Sequence, residues 1–324
     1  MEFVLNTSLL LGACLLSIDH KQRQGNGFFG LYLLAVFVSS FIVRQNFSND
    51  IGVYSDWLAT SFWQNYLYTE PIAWAGLRFI YEIFQDVYIT WIVADLLIGL
   101  VVYKTLTKLK CPKYVFFLVI ASFPFVLGSQ NVFRQHLAAV LFLYALTSHN
   151  SIRALLITAM SALSHNMAVL YAPLIFMTRT HIGGRLMSLG YPLWLFIAPV
   201  ALYIFRDFKS RAATGSNTEI LYILFLLALL FLFTWIKGFR IPVKSDYVGL
   251  AFFGLINGLA ALLFLGSAQV ERIFLFSVFV LLPFAALEFD NHLKPKVFGR
   301  IFLILIYGAP SFMGGAFAAL ANIS

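Results

Sequence analysis

Charged residues are scarce in this chain. Asp, Glu, Lys and Arg make up 11% of its 324 residues, whereas 61% are hydrophobic. Soluble globular domains carry about 25% charged residues, so the composition excludes an ordinary soluble protein. Apolar runs of about 15 to 20 residues recur from one end to the other and leave no room for a separate soluble domain. The sequence therefore predicts a single integral membrane domain over residues 1–324.

The chain has only two cysteines and lacks the common catalytic motifs. Cys14 falls in the first apolar segment and Cys111 beside a basic loop. These placements favour neither a disulfide framework nor a metal site. The chain has no P-loop, GxGxxG, GxSxG or HExxH motif, and no acid-x-acid pair in the loop after the second span. We therefore expect no cofactor, no bound metal and a metal-independent reaction.

The apolar segments predict an all-α polytopic membrane protein with about 12 transmembrane helices, within a range of about 10 to 14. Each segment approaches the length that an α-helix needs to cross a bilayer. The predicted spans lie near residues 2–17, 28–43, 88–103, 114–128, 132–147, 152–164, 166–178, 187–205, 220–236, 247–265, 273–289 and 301–321.

The distribution of basic residues predicts the orientation. The net charge of +8 is typical of nucleic-acid binders too, but here the basic residues sit in short loops between apolar spans, where they set topology. Alternate loops, such as 104–113 and 237–244, contain most of the Lys and Arg. By the positive-inside rule both termini lie on the outer side of the membrane, and no nucleic-acid partner is expected.

The segment from Arg44 to Val87, called the outer segment below, is predicted to lie on the outer side of the membrane. Its apolar positions fall at helical spacing, which favours amphipathic helices at the membrane interface. Asp50 and Tyr54 share a face if that part is helical. With Glu70 they could orient sugar hydroxyls, although an aromatic interfacial belt is equally compatible with this composition.

Residues 129–178 are predicted to form a helical hairpin that carries Arg134 and His165. Both lie about 23 Å of helix from the polar turn at 148–151, at about 1.5 Å per residue, so they return to one membrane depth. The arms 152–164 and 166–178 are each short for a bilayer crossing, which predicts a break at 164–166. Irregular backbone at that depth must be buried by protein or face water, so we expect an outward-facing cavity.

Ionisable side chains in lipid-compatible sequence commonly have a function. The Arg134 guanidinium matches phosphate oxygens, unless it only reaches the headgroups. His165 is the predicted proton acceptor, unless it only satisfies backbone groups at a helix end. Arg272, Arg206 and Arg211 could bind or recruit an anionic substrate, or be ordinary interfacial and loop residues.

Asp95 is the one acidic residue deep in a predicted span. It is predicted to pair with a polar group of a neighbouring helix, while a role in proton transfer stays open. Arg44 is assigned to the outer loop residues, at the end of the second span. The two residues are not linked by the sequence pattern.

The sequence resembles the EpsG and Wzy group of bacterial polysaccharide polymerases. No single motif is specific; the order and spacing along nearly the whole chain carry the resemblance. Its matching parts are Asp50-x-x-x-Tyr54, Glu70-Pro71, Asn131-x-x-Arg134-Gln135-x-x-Ala138, Ser161-x-x-Ser164-His165-x-x-Ala168 and Glu271-Arg272. Gly52 and Val53 depart from the more aromatic surroundings typical of this group, which weakens the acceptor-site assignment there.

The resemblance implies a polymerase of undecaprenyl-diphosphate-linked oligosaccharides, for O-antigen, lipopolysaccharide or exopolysaccharide. The growing glycan would pass to the non-reducing end of a new lipid-linked unit, on the outer face of the inner membrane. Arg134, helped by Arg272 and by Arg206 or Arg211, would stabilise the diphosphate, and His165 would take the proton. The resemblance also implies that the outer side, with both predicted termini, is the periplasm. A flippase and a chain-length regulator of the same pathway are the implied protein partners. A lipid-linked oligosaccharide transporter and a membrane O-acyltransferase are the alternatives.

Overall fold

The computed structural model describes most of the chain and all of the hairpin except one residue. The described residues are 2–18, 27–44, 50–60, 70–130, 132–179, 193–194, 196–200, 202–203, 219–236 and 246–312. Arg206 and Arg211 lie outside these residues, and so do most of the predicted span 187–205 and the end of the predicted span 301–321.

All regular structure in the described residues is helical, which agrees with the predicted all-α class. The first seven helices are α1 Glu2–Ile18, α2 Phe28–Val43, α3 Asp50–Ala59, α4 Pro71–Phe84, α5 Val87–Lys108, α6 Lys113–Ala121 and α7 Phe123–Gln130. The others are α8 Phe133–Leu146, α9 Ser151–Ser164, the 3-10 helix Asn166–Tyr171, α10 Ala172–Arg179, α11 Glu219–Ile236, α12 Asp246–Phe264, α13 Ser267–His292 and α14 Lys296–Phe312.

Three of these helices are long and apolar enough to cross a membrane. They are Val87–Lys108, Tyr247–Phe264 and Gln269–His292, and shorter apolar helices accompany them. The predicted span 114–128 is divided into α6 and α7 at Ser122, whose extended backbone precedes Pro124 by two residues. The predicted total of about twelve spans stays a prediction.

The outer segment folds into two described helices. Helix α3 confirms the helical spacing of Asp50 and Tyr54. Helix α4 starts at Pro71, where proline is favoured because the first helical N–H has no partner within the helix. It buries Trp74 and exposes Phe79, which confirms the predicted amphipathic character for this helix. Residues 45–49 and 61–69 lie outside the described part.

The hairpin breaks where the short arms predict. Helix α9 ends at Ser164, His165 has an extended backbone, and a 3-10 helix follows before α10. Ser161 Oγ donates to the carbonyl of Ala138 at 2.6 Å, which ties α9 to α8. Beyond the break, Asn257 Nδ2 of α12 donates to the carbonyl of Leu170 at 3.2 Å. Protein groups therefore satisfy part of this irregular backbone, as an apolar environment requires.

A deep ion pair connects α2 to α5. Arg44 Nε and Nη2 donate to the two oxygens of Asp95, each at 2.9 Å, and Ser40 Oγ donates to Asp95 Oδ2 at 2.6 Å. This confirms the predicted pairing of Asp95 with a neighbouring helix. Arg44, which the sequence assigns to the outer side at the end of the second span, has a buried side chain that lies over the ring of Trp91.

Candidate functional site

The carboxylate of Glu70 lies between two other candidate residues. Glu70 is the N-cap of α4 and is buried. Arg134 Nη1 donates to its Oε2, and His165 Nε2 lies 3.7 Å from its Oε1. Arg134 and His165, which are predicted to share one membrane depth, therefore lie beside the same carboxylate.

Arg134 is held from three sides in the first turn of α8. Its Nη1 contacts Glu70, and its Nη2 donates to the hydroxyl of Tyr54 at 2.9 Å. The guanidinium carbon also lies 4.9 Å from the centre of the Tyr54 ring and 5.9 Å from that of Trp74. Cation–π attraction and hydrogen bonds therefore fix the plane of the guanidinium.

Three aromatic rings of the outer segment form a cluster, and two of them, Tyr54 and Trp74, lie against this arginine. The Tyr54 ring lies 5.9 Å from that of Trp57 and 5.3 Å from that of Trp74, and the two tryptophan rings are 5.7 Å apart. Such edge-to-face and tilted contacts are favourable beyond the area they bury. They join α3 to α4 and place the outer segment beside the hairpin.

The hydrogen bonds of His165 determine which nitrogen carries its proton. The Nδ1 atom accepts from the backbone N–H of Met167 at 3.2 Å. A neutral imidazole has one donor and one acceptor nitrogen, so Nε2 carries the proton in this arrangement. The protonated nitrogen is the one that faces Glu70. His165 thus caps the 3-10 helix with one nitrogen and offers a donor with the other.

Arg272 belongs to the same charged group. Its backbone carbonyl accepts from Gln135 Nε2, which ties α13 to α8 beside Arg134. Its positive charge acts on both Glu70 and His165. Arg272 therefore adds a second cation to the site, as the sequence predicts.

Burial changes the acidity of Glu70, which lies outside the predicted spans. Removal from water penalises the charged form and raises the pKa of the Glu70 carboxyl above its usual range. The positive charges of Arg134 and Arg272 oppose this rise and offset only part of it. The carboxylate is thus a stronger base than an exposed glutamate would be.

The structure brings together five of the eight candidate residues: Tyr54, Glu70, Arg134, His165 and Arg272. Asp50 begins α3, one turn from Tyr54, and its side chain lies outside the described part. Arg206 and Arg211 are not described either. In the described part of the chain, no three His, Cys, Asp or Glu side chains form a group that could hold a metal ion.

Sequence reasoning did not foresee that Glu70 bridges Arg134 and His165. It placed Glu70 with the acceptor residues, because that residue precedes α4 in the outer segment. The common outer side of all three residues was a signal, but periodicity does not give the rotation of one helix against another. Trp74 was noticed only as one of several aromatic residues, and nothing in the sequence singles it out as a neighbour of Arg134.

One family model matches almost the whole chain. The model of the EpsG family matches residues 29–318. The chain belongs to the EpsG family. No curated protein and no solved structure matches the chain. The EpsG match spans α2 to α14 and includes each of the five residues that meet around Glu70.

EpsG membership and the apolar helices together indicate a membrane protein of polysaccharide biosynthesis. The family also indicates a glycosyltransferase-like polymerase rather than a soluble transferase. Since the aromatic rings, the two arginines and the bridging glutamate all meet at the start of α4 and α8, this place is the candidate active site.

Proposed function

We propose that this protein polymerises undecaprenyl-diphosphate-linked oligosaccharide repeat units. The growing glycan leaves its lipid carrier and is transferred to the non-reducing end of a new lipid-linked unit, on the outer face of the bacterial inner membrane. The product is an O-antigen, a lipopolysaccharide component or an exopolysaccharide. The observation that carries the proposal is the Arg134 site, in a chain of the EpsG family.

The diphosphate leaving group requires positive charge from the protein. Breaking the bond between sugar and diphosphate puts negative charge on the diphosphate oxygens, and positioned cations stabilise that charge in the transition state. A guanidinium has five N–H groups in a planar fork, and the contacts to Glu70 and Tyr54 use one on each terminal nitrogen. The remaining N–H groups can donate to phosphate oxygens, and Arg272 supplies the second positive charge.

A metal ion is not required by this scheme, since two arginines supply the positive charge. We propose that Arg134 and Arg272 contact the diphosphate directly. Arg206 and Arg211 are proposed to attract it from the loop that follows the eighth predicted span. Long-range attraction by loop cations increases the rate of encounter with an anionic substrate.

The acceptor sugar is proposed to bind at the aromatic side. Tyr54, Trp57 and Trp74 form one aromatic cluster next to Arg134, in which Tyr54 and Trp74 are buried and Trp57 is partly exposed. The Trp57 ring suits the apolar face of a sugar, and carboxylates such as Asp50 and Glu70 can orient hydroxyl groups. In this proposal the acceptor hydroxyl lies near the bond that breaks.

The proposal is tested by reconstitution. Purified protein in liposomes is given a defined undecaprenyl-diphosphate-linked repeat, with and without a metal chelator. We expect a ladder of longer lipid-linked glycans under both conditions. A ladder that disappears with chelator and returns with a metal would contradict the metal-independent reaction.

A deletion strain separates polymerisation from transport. We expect single repeats to accumulate already on the periplasmic face of the inner membrane, where an impermeant glycan-modifying reagent reaches them. Accumulation on the cytoplasmic face would instead support a flippase. Dependence of the reconstituted reaction on an acyl donor would support an O-acyltransferase.

A further inference from the structure

The candidate site holds two groups that could accept the proton of the attacking hydroxyl. His165 is the one predicted from the sequence, and Glu70 is the one that lies between His165 and Arg134. A proton acceptor needs an available lone pair that faces the substrate. The hydrogen bonds of the two side chains decide which of them has one.

The lone pair of His165 is already used. Its Nδ1 accepts the backbone N–H of Met167 at 3.2 Å, and this bond caps the 3-10 helix. The other nitrogen, Nε2, must then carry the proton in the neutral ring. To accept a proton, the imidazole would have to break its cap or rotate within a buried site.

Glu70 has a free oxygen in the same place. Its Oε2 accepts from Arg134, whereas His165 Nε2 lies 3.7 Å from Oε1, too far for a hydrogen bond. Among the described residues none makes a hydrogen bond to Oε1. The pair with Arg134 holds the carboxylate next to the cation that receives the diphosphate.

We propose that Glu70, and not His165, is the catalytic proton acceptor of the transfer, and that His165 is a positioning residue. This inference rests on the proposed polymerase function. The acceptor hydroxyl oxygen forms a bond to the anomeric carbon of the growing glycan. The bond from that carbon to the diphosphate breaks, and its electron pair leaves with the diphosphate. The hydroxyl proton passes to Glu70 Oε1 and then to water.

The surroundings of Glu70 suit this role at neutral pH. Arg134 from α8, Arg272 from α13, His165 at the hairpin break and Tyr54 from α3 are the titratable or charged groups around it. Burial still raises the pKa of the Glu70 carboxyl above its ordinary value. A carboxylate with a raised pKa takes a proton more readily than an exposed one and stays ionised when the pH is higher than that pKa.

The test compares matched variants of the full protein in single-turnover chain extension. Glu70→Gln keeps the shape and removes the base, so we expect extension to slow by about 10²–10⁴-fold. His165→Asn keeps an acceptor for the Met167 N–H, and we expect a loss of about tenfold at most, as for one hydrogen bond. Glu82→Gln, on the exposed face of α4, is the control and should extend at the wild-type rate.

Two further readouts separate a base from a structural role. The wild-type extension rate should fall as the pH is lowered through the raised pKa of Glu70, and this acid limb should be absent from the residual activity of Glu70→Gln. Formate should partly restore extension by Glu70→Ala, because an external carboxylate can take the proton. If Glu70→Gln fails to fold, the wild-type profile decides: a rate that stays constant down to about pH 4.3, the ordinary glutamate pKa, overturns the assignment.

The outcomes distinguish the two proposals. If the wild type extends the glycan and Glu70→Gln does so within tenfold of it, the role of Glu70 is overturned while the polymerase function stands. Loss of extension in His165→Asn with full extension in Glu70→Gln returns the base to His165. A wild type that forms no ladder from the lipid-linked repeat overturns the polymerase function, and the role of Glu70 with it.

Discussion

Two arginine–carboxylate pairs lie in the same bundle and differ in how completely the oxygens of their carboxylates are hydrogen-bonded. In the deep pair, Arg44 contacts both oxygens of Asp95, and Ser40 adds a third hydrogen bond. In the outer pair, Arg134 contacts one oxygen of Glu70 and leaves the other open. Asp95 therefore has no oxygen left for a substrate, whereas Glu70 has one.

The arginines of the two pairs also differ in solvent exposure. The side chain of Arg44 is 1% exposed, whereas that of Arg134 is 23% exposed. A closed pair deep in the bundle connects α2 to α5 and acts as a structural element. A half-open pair at an accessible depth can exchange partners when a phosphate or a hydroxyl arrives. Completeness of hydrogen bonding at the carboxylate thus separates the deep pair from the proposed functional pair better than burial of charge alone.

We expect the largest effect from a substitution that breaks the deep pair of Arg44 and Asp95. Asp95→Asn leaves the Arg44 guanidinium buried without its countercharge, which should destabilise the fold by about 3–5 kcal/mol. Thermal unfolding in detergent measures the loss. The double variant Arg44→Met with Asp95→Leu should recover most of it, because no buried charge remains. A double variant no more stable than Asp95→Asn would show that the pair has a role beyond structure.

The second effect concerns the outer pair. Arg134→Lys keeps the charge but loses the planar fork, so chain extension should fall by about 10²–10³-fold. The thermal transition should move little, in contrast to Asp95→Asn. Single-turnover extension measures the change, with Arg78→Lys, on the outer helix α4, as the control. Wild-type extension by Arg134→Lys would remove Arg134 from the diphosphate site.

The third effect tests the contact between α12 and α13, the helix that carries Arg272. A Cβ at Gly258 would overlap the ring of Phe274, so Gly258→Ala should destabilise the protein by about 1–3 kcal/mol. Gly30→Ala is the matched control, because nothing lies within 4 Å of its Cβ position. Thermal unfolding of both variants gives the comparison. Equal stability of the two would mean that α12 and α13 are less closely packed.

The smallest effect concerns the hairpin that supports the outer pair. Ser161→Ala removes the bond from α9 to the Ala138 carbonyl and should lower stability by about 1 kcal/mol. Ser129→Ala removes only a bond within α7, to Val126, and should have less effect. The two thermal transitions are compared directly. A larger shift in Ser129→Ala would show that the contact between α8 and α9 does not depend on Ser161.

The sequence predicted the elements of this site better than their contacts. The break at His165 followed from two arms too short to cross a bilayer, and the helix at Asp50 and Tyr54 followed from spacing. The charge count placed Arg44 on the outer side, but a count along the chain does not show that this side chain is buried against Asp95. Hydropathy likewise located Asp95 in a span without naming its partner.

The contacts within the site could not be predicted from the sequence for a physical reason. Which oxygen of Glu70 is free, and which nitrogen of His165 carries the proton, depend on hydrogen bonds between residues far apart in the chain. Helical periodicity describes one element at a time and carries no information about such contacts. The pairing of Arg134 with Glu70 is therefore visible only in the packed bundle.

The bond from Gln135 Nε2 to the carbonyl of Arg272 has a consequence for how the protein is made. It joins residues that are 137 positions apart. At roughly 5–20 residues per second, the ribosome needs on the order of ten seconds to synthesise the intervening chain. Helices α3 and α4, which carry or adjoin Tyr54 and Glu70, are therefore synthesised well before Arg272. A nascent or truncated chain without α13 contains Glu70 and Arg134 and still lacks part of the candidate site.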